Sequence, residues 1–232
     1  EMTSSLVGSE MCIRDRLCRM PECLISTYQD NMPLAAELKA DFEWAKSIAV
    51  GPGLSMNVAA AEITRCVLER DDKVRILDAD ALNIIAGEHI DYKGSREGQI
   101  IITPHIMEMS RLTGKTVADI KEHMIQSAKE YAIQHSCICI LKDARTVVTD
   151  GQKVYINCTG NDGMSTGGCG DVLTGLIAGM TAMGLDAFEA ACLSVYVHGK
   201  AGDYAASGKG RAGMTAADVS EALSLIHISE PT

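Results

Sequence analysis

Apolar positions along the chain fall into two rhythms. Four short runs, SIAVGPG around Ile48, VRILDAD around Ile76, IIITPH around Ile101 and CICILKD around Ile138, are rich in aliphatic side chains and almost continuously apolar at their centres. Such runs predict strands covered on both faces, as in a parallel sheet. Between them, residues 58–70 and 117–135 repeat apolar side chains at steps of three and four, which predicts amphipathic helices. Strand and helix alternate, so the expected class is α/β: an open, mostly parallel sheet covered by helices.

Residues 145–157 break this alternation. RTVV and KVYIN are strand-like, and the Asp150-Gly151 pair between them is a hairpin signal. A glycine-rich turn follows, then a helix from about Gly170 and a long helix over residues 187–206.

In an open α/β sheet, ligands bind beyond the carboxyl ends of the strands. This chain carries its notable polar residues there. GPGLS (51–55) follows the first run, and its glycines permit close approach of a ligand to the backbone. DADALN (78–83) follows the second, with Asp78 and Asp80 expected on one side of an extended segment. TPHIMEMSRLTG (103–114) offers His105, Glu108 and Arg111, and LKDART (141–146) presents Lys142. Taken singly, these are turn glycines, helix-capping carboxylates, a surface histidine and a solvated lysine. Taken together they form what a ligand crevice requires.

The most specific stretch is NDGMSTGGCGDVLTGLIAGM (161–180). Gly167, Gly168 and Gly170 let the backbone turn tightly with its N–H groups bare, and the following helix adds the positive end of its dipole. That is a socket for a phosphate. Asp171 stands at its mouth, where a carboxylate repels an anion but serves as a base for a hydroxyl approaching the phosphate. The plainer alternative is a glycine turn before a buried helix, with Asp171 an ordinary first-turn acid. The chemical reading is phosphoryl transfer to an alcohol.

Composition narrows the partners. With 31 acidic and 21 basic residues the 232-residue chain has a formal net charge of −10, and no basic stripe suits a nucleic acid. The longest strongly apolar helix candidate, residues 172–183, is too short to span a bilayer, so no membrane partner is expected. The nine cysteines show no CxxC spacing; only Cys137 and Cys139 alternate within an apolar run. This favours reduced, packing cysteines of a cytoplasmic protein over a disulfide framework or a metal site.

Both ends look foreign. Back-translated, LVGSEMCIRDR (6–16) and LSLIHISEP (223–231) are reverse complements, and the DNA string resembles a transposon-based sequencing adapter. Residues 1–16 and 223–232 are therefore expected to be translated scar, and residues 17–222 to be one partial domain.

In their order, GPGLS, DADALN, TPH, LKDARTV and TGNDGMSTGGCGDVLTGLIAG, closed by VYVHGKAGD (195–203), resemble the NAD(P)H-hydrate dehydratase family of the ribokinase-like superfamily. The resemblance covers most of residues 48–203. It implies a three-layer α/β/α sandwich, with family strands expected before Leu17. It also implies repair of nicotinamide cofactors hydrated at ring carbon six: a nucleotide phosphorylates the 6-hydroxyl of the S epimer, and loss of phosphate restores NADH or NADPH. By position, Asp171 would be the base and Gly167, Gly168, Cys169 and Gly170 the anion hole. Lys142, Asp143, Ala144, Arg145, Thr146 and Gly170 would bind the nucleotide, and Gly53, His105 and Asp171 the hydrated substrate. ADP or ATP is implied as co-substrate with Mg2+, together with a homo-oligomeric assembly and an NAD(P)H-hydrate epimerase, fused or separate. A small-molecule kinase of the same superfamily and a non-catalytic nucleotide-binding module are the rival readings. Because the N-terminal strands are absent, the fragment is expected to be poorly stable or inactive beside a full-length relative, to be tested by thermal unfolding and turnover.

Overall fold

The computed structural model describes residue 36 and residues 38–94 and 99–225; the whole of the expected N-terminal scar, residues 1–16, and residues 226–232 of the C-terminal one lie outside these. After α1 (Lys39–Trp44) come β1 (Ser47–Val50), α2 (Val58–Leu68), β2 (Val74–Leu77) and α3 (Ala79–Gly87). Then follow β3 (Ile100–Ile102), α4 (Ile106–Thr113), α5 (Val117–Glu122), α6 (Met124–His135) and β4 (Ile138–Leu141). The hairpin β5 (Val147–Thr149) and β6 (Val154–Ile156) leads to a 3-10 turn (Asp162–Met164), α7 (Cys169–Ala182), α8 (Ala187–Lys209) and α9 (Ala216–Leu223).

Among the described residues, six strands lie side by side in chain order. β1 to β4 are parallel, with Ile48 opposite Arg75, Ile76 opposite Ile101 and Ile101 opposite Ile138. The hairpin adds two antiparallel strands, Leu141 pairing Val147 and Val147 pairing Ile156. Gly151 turns the hairpin at φ +94°, and Asp150 Oδ1 accepts from the N–H groups of Gln152 and Lys153. β4 is buried along its whole length between two neighbours, whereas the edge strand β6 is partly exposed.

Because side chains alternate across a strand, the continuous apolar runs feed two cores. Leu77, Ile100, Ile102, Cys139 and Leu141 pack with Ile63, Leu82, Met109, Ile120 and Tyr131 from α2 to α6. On the other face, Ile76, Ile101, Ile138 and Ile140 pack with Leu173 and Ile177 of α7 and Val195 of α8. The result is the expected three-layer α/β/α sandwich.

The stretch predicted as one helix over 117–135 is two. The chain departs from helical geometry at His123 (φ −127°, ψ 43°), separating α5 from α6. Thr116 and Asp119 form a capping box that starts α5. Among the described residues, no helix is long and apolar enough to cross a membrane, and the described cysteines are all free thiols.

Candidate active site

The site is built where β2, β4 and α7 meet. Asp78 follows β2 and is 1% exposed. Its Oδ1 accepts from Lys142 Nζ at 2.8 Å and its Oδ2 from Thr174 Oγ1 at 2.7 Å. Burial pushes this carboxyl up, but the Lys142 charge and hydrogen bond, helped by Thr174, hold it below the usual aspartate value. Lys142, the residue after β4, is fixed by its own N–H to Pro104 O (2.8 Å), beside His105.

Asp78 and Asp80 do not share one side of an extended segment, as the sequence suggested. α3 begins at Ala79, which takes φ +47°, so Asp78 is the residue before the helix and Asp80 belongs to its first turn. The helical twist parts them: Asp80 Oδ2 accepts from Ser55 N (2.8 Å), tying the GPGLS loop down. Gly51 of that loop has φ +122°, and a Cβ there would lie 1.7 Å from the Asp78 carbonyl oxygen, so only glycine lets these strand ends touch.

Gly168, at φ +90°, opens α7 one residue earlier than the sequence suggested. Its neighbour Gly170 faces the ion pair: a Cβ there would sit 3.5 Å from Lys142 Nζ and 3.8 Å from Asp78 Oδ2. The first N–H groups of α7 thus open beside a lysine ammonium, and both favour an anion. Asp171, in the first turn of α7, is exposed. Partial burial and the Asp78 charge raise its pKa, with Lys142 acting in the opposite direction.

A cleft of about 840 Å³ opens at this end of the sheet. His105, Lys142, Asp143, Ala144, Arg145, Thr146, Cys169 and Gly170 line it. Gly167, Gly168 and Asp171 do not line it, although the two glycines form the adjacent turn and Asp171 follows Gly170. Gly53 also lies outside it, exposed at φ +65° in the loop after β1.

His105 is the N-cap of α4. Its Nδ1 accepts from the N–H groups of Met107 (3.1 Å) and Glu108 (3.2 Å), while Glu108 Oε2 accepts from His105 N (2.8 Å). An accepting Nδ1 leaves the ring proton on Nε2 in the neutral form. Burial and the charges of Lys142 and Arg111 lower the imidazole pKa, favouring that form.

Three contributors are not evident from the sequence alone. Thr174 stands one turn after Asp171, a spacing that could have shown a shared helix end. Asp203 holds the far wall, accepting from Gly160 N (3.0 Å) and Asn161 Nδ2 (3.1 Å). His198 lines the cleft from α8, and its HGKAGD context reads in the sequence only as part of a closing helix.

The profile of the NAD(P)H-hydrate dehydratase family matches residues 7–225. The chain belongs to that family. It is similar to the bifunctional NAD(P)H-hydrate repair enzyme Nnr of Moorella thermoacetica, 45% identical over 174 residues, covering 74% of this chain and 32% of that enzyme. It therefore spans about a third of the length of such bifunctional relatives. The ADP-dependent (S)-NAD(P)H-hydrate dehydratase of Neisseria meningitidis serogroup B is 33% identical over 208 residues, covering 88% of this chain and 70% of that one. The crystal structure of the ADP/ATP-dependent NAD(P)H-hydrate dehydratase of Bacillus subtilis, co-crystallized with ATP/Mg2+ and soaked with CoA, superimposes with a TM-score of 0.77 at 30% identity. That match covers 93% of this chain and 77% of the Bacillus chain. The dehydratase family's sandwich is the ribokinase-like fold expected from the sequence.

Proposed function

We propose that the chain carries the nucleotide-dependent dehydratase activity of its family, converting the S epimer of NAD(P)H hydrate to NAD(P)H. The observation that carries this reading is the junction of Lys142, Gly170 and Asp171: an ammonium and a helix N-terminus beside the nucleotide-sized cleft, with a carboxylate of raised proton affinity at the next residue. Residues Lys142 to Thr146 would bind ADP or ATP, and the N–H groups from Gly167 to Gly170 would hold the phosphate being transferred. Asp171 would take the proton of the 6-hydroxyl as its oxygen attacks the terminal phosphorus. The bond from that phosphorus to the nucleotide breaks, releasing AMP from ADP or ADP from ATP. The phosphorylated ring then loses phosphate from carbon six and a proton from the adjoining carbon, restoring the double bond.

His105 and Gly53 are proposed to contact the hydrated ring. Among the described residues no group of three His, Cys, Asp or Glu side chains could hold a metal ion, so Mg2+ would come with the phosphates of the nucleotide and not in a protein-built cage. An epimerase, fused or separate, a homo-oligomeric state and a cytoplasmic setting complete the proposal. The test is nucleotide-dependent NADH recovery from hydrated NADH, followed by absorbance, beside Asp171→Asn. Recovery that collapses in the variant supports the reading. A stable phosphorylated product in place of NADH would make the protein a small-molecule kinase, and nucleotide binding without turnover would make it a binding module.

A further inference from the structure

α4 borders two cavities, and the reaction above uses one of them. His105, its N-cap, lines the cleft of about 840 Å³ assigned to the nucleotide. Arg111, in its last turn, lines a second cavity of about 490 Å³ together with Met56, Asn83, Ala86 and Gly87. Met56 directly follows the GPGLS loop, and the other three belong to α3. The second cavity thus lies between the loop of Gly53 and the helix of His105, the two residues proposed to touch the hydrated ring.

Arg111 is held in place without being neutralised. Among the described residues its guanidinium makes one hydrogen bond, to Asn83 Oδ1 at 2.7 Å, and no ion pair. Asn83 is anchored in turn, donating from Nδ2 to Ala79 O at 3.2 Å, so the amide that orients the arginine is itself oriented. A neutral partner fixes the guanidinium and leaves its charge intact. The residue is exposed, which leaves its remaining N–H groups for a ligand. A helical Cα–Cβ bond tilts toward the helix N-terminus, so Arg111 leans back toward His105. Its positive field reaches that ring, adding to burial and to Lys142 in lowering the imidazole pKa.

The shape of the substrate indicates what meets this cation. A hydrated dinucleotide carries a ribose and a diphosphate away from its reacting ring. The co-substrate fills the first cleft, so this tail leaves on the other side of His105. There α4 advances about 9 Å from its N-cap to Arg111, a span suited to the ribose between ring and diphosphate. In a chain of formal net charge −10 a diphosphate needs such a cation, and the planar fork of an arginine matches phosphate oxygens.

We propose that Arg111 binds the diphosphate of the hydrated dinucleotide, whose adenosine end then lies in the cavity beside Met56. The assignment rests on the dehydratase reading given above and gives its substrate a direction, away from the co-substrate.

Calorimetric titration of the full chain, without ADP so that no turnover occurs, tests this with hydrated NADH, hydrated NADPH and the hydrated reduced nicotinamide riboside, which lacks the diphosphate. Arg111→Gln should bind hydrated NADH and hydrated NADPH about tenfold more weakly, the loss of one hydrogen bond to a charged oxygen, and the riboside within about twofold of the unmodified chain. Arg111→Lys, which keeps the charge but not the fork, should fall between the two. Thermal melts check folding, and the lysine variant carries the test should the glutamine variant fail to fold. Weakening confined to hydrated NADPH would place Arg111 on the 2′-phosphate and overturn the assignment. Equal weakening of the riboside would place its effect on the ring and overturn it too, as would unchanged binding of all three ligands. An unmodified chain that binds none of them would defeat the proposed function itself, and this inference with it.

Discussion

Asp78 and Lys142 stand 64 residues apart in the chain and 2.8 Å apart in space, and their pairing joins the end of β2 to the end of β4. Asp78 is almost wholly buried, so its charge depends on that partner and on Thr174. Replacing Lys142 by Met should leave an uncompensated buried carboxylate. The expected loss is about 3–5 kcal/mol of folding stability, read by urea denaturation. Asp78→Asn, which removes the charge and keeps a polar group, should cost less; equal losses would show that a stranded charge is not what weakens the Lys142 variant.

The same pair sets an acid limit. The folded pKa of Asp78 lies below the ordinary 3.8, so its stabilising contribution is present above that value and is lost as pH falls through the folded pKa. Stability curves of the parent chain and Asp78→Asn should therefore differ most above about pH 4 and converge below it. Parallel curves down to about pH 2 would remove Asp78 from the acid response.

Asp171 predicts the opposite separation, a large kinetic effect with little structural one. It is exposed and makes no described side-chain hydrogen bond, so Asp171→Asn should move the melting temperature little while lowering turnover by about 100-fold or more. Because its pKa is raised, the acid limb of the rate profile should lie above the pH of an ordinary aspartate, and the rate should fall as the carboxylate gains its proton. Turnover of the variant near that of the parent would dismiss it as the base.

Gly51→Ala is expected to be among the most damaging single changes. The backbone there has φ +122°, and the new Cβ would overlap the Asp78 carbonyl oxygen. Strain and steric conflict together should cost about 3 kcal/mol or more and displace Asp78, lowering both the melting temperature and nucleotide affinity. Gly53→Ala meets no neighbouring atom, although its φ of +65° is also strained, and should cost about 1 kcal/mol. Equal costs would show that the contact with Asp78 is unimportant.

Asp203→Ala should loosen the far wall of the cleft. Two hydrogen bonds, to Gly160 N and Asn161 Nδ2, disappear together. About 1–3 kcal/mol of stability is at stake, with ADP binding weakened in step. Unaltered hydrogen exchange at Gly160 would dissociate Asp203 from that loop.

Most of the sandwich was legible because its strands are covered on both faces, which writes an unbroken apolar run into the sequence, as in Ile100 to Ile102. The hairpin was legible through Asp150-Gly151, a local signal. The division at His123 was not, since neither glycine nor proline marks it. The loops of the site could be found because each follows a strand. Their pairings could not, because which carboxylate meets Lys142 depends on strand order and on how the chain enters α3. Asp78 and Asp80 look equivalent in the sequence; the helix start at Ala79 sends one to Lys142 and the other to Ser55.

The sheet whose strands follow chain order also imposes a schedule on synthesis. Each described strand can pair with the one made just before it, so the sheet can grow as the polypeptide leaves the ribosome. Asp78 must wait longer: Lys142 emerges 64 residues after it, and Thr174 96 residues after it. Until α7 arrives, the nascent protein holds a carboxylate without its full set of partners at the heart of its future site. The last-made half of the domain thus decides when the first-made half becomes competent.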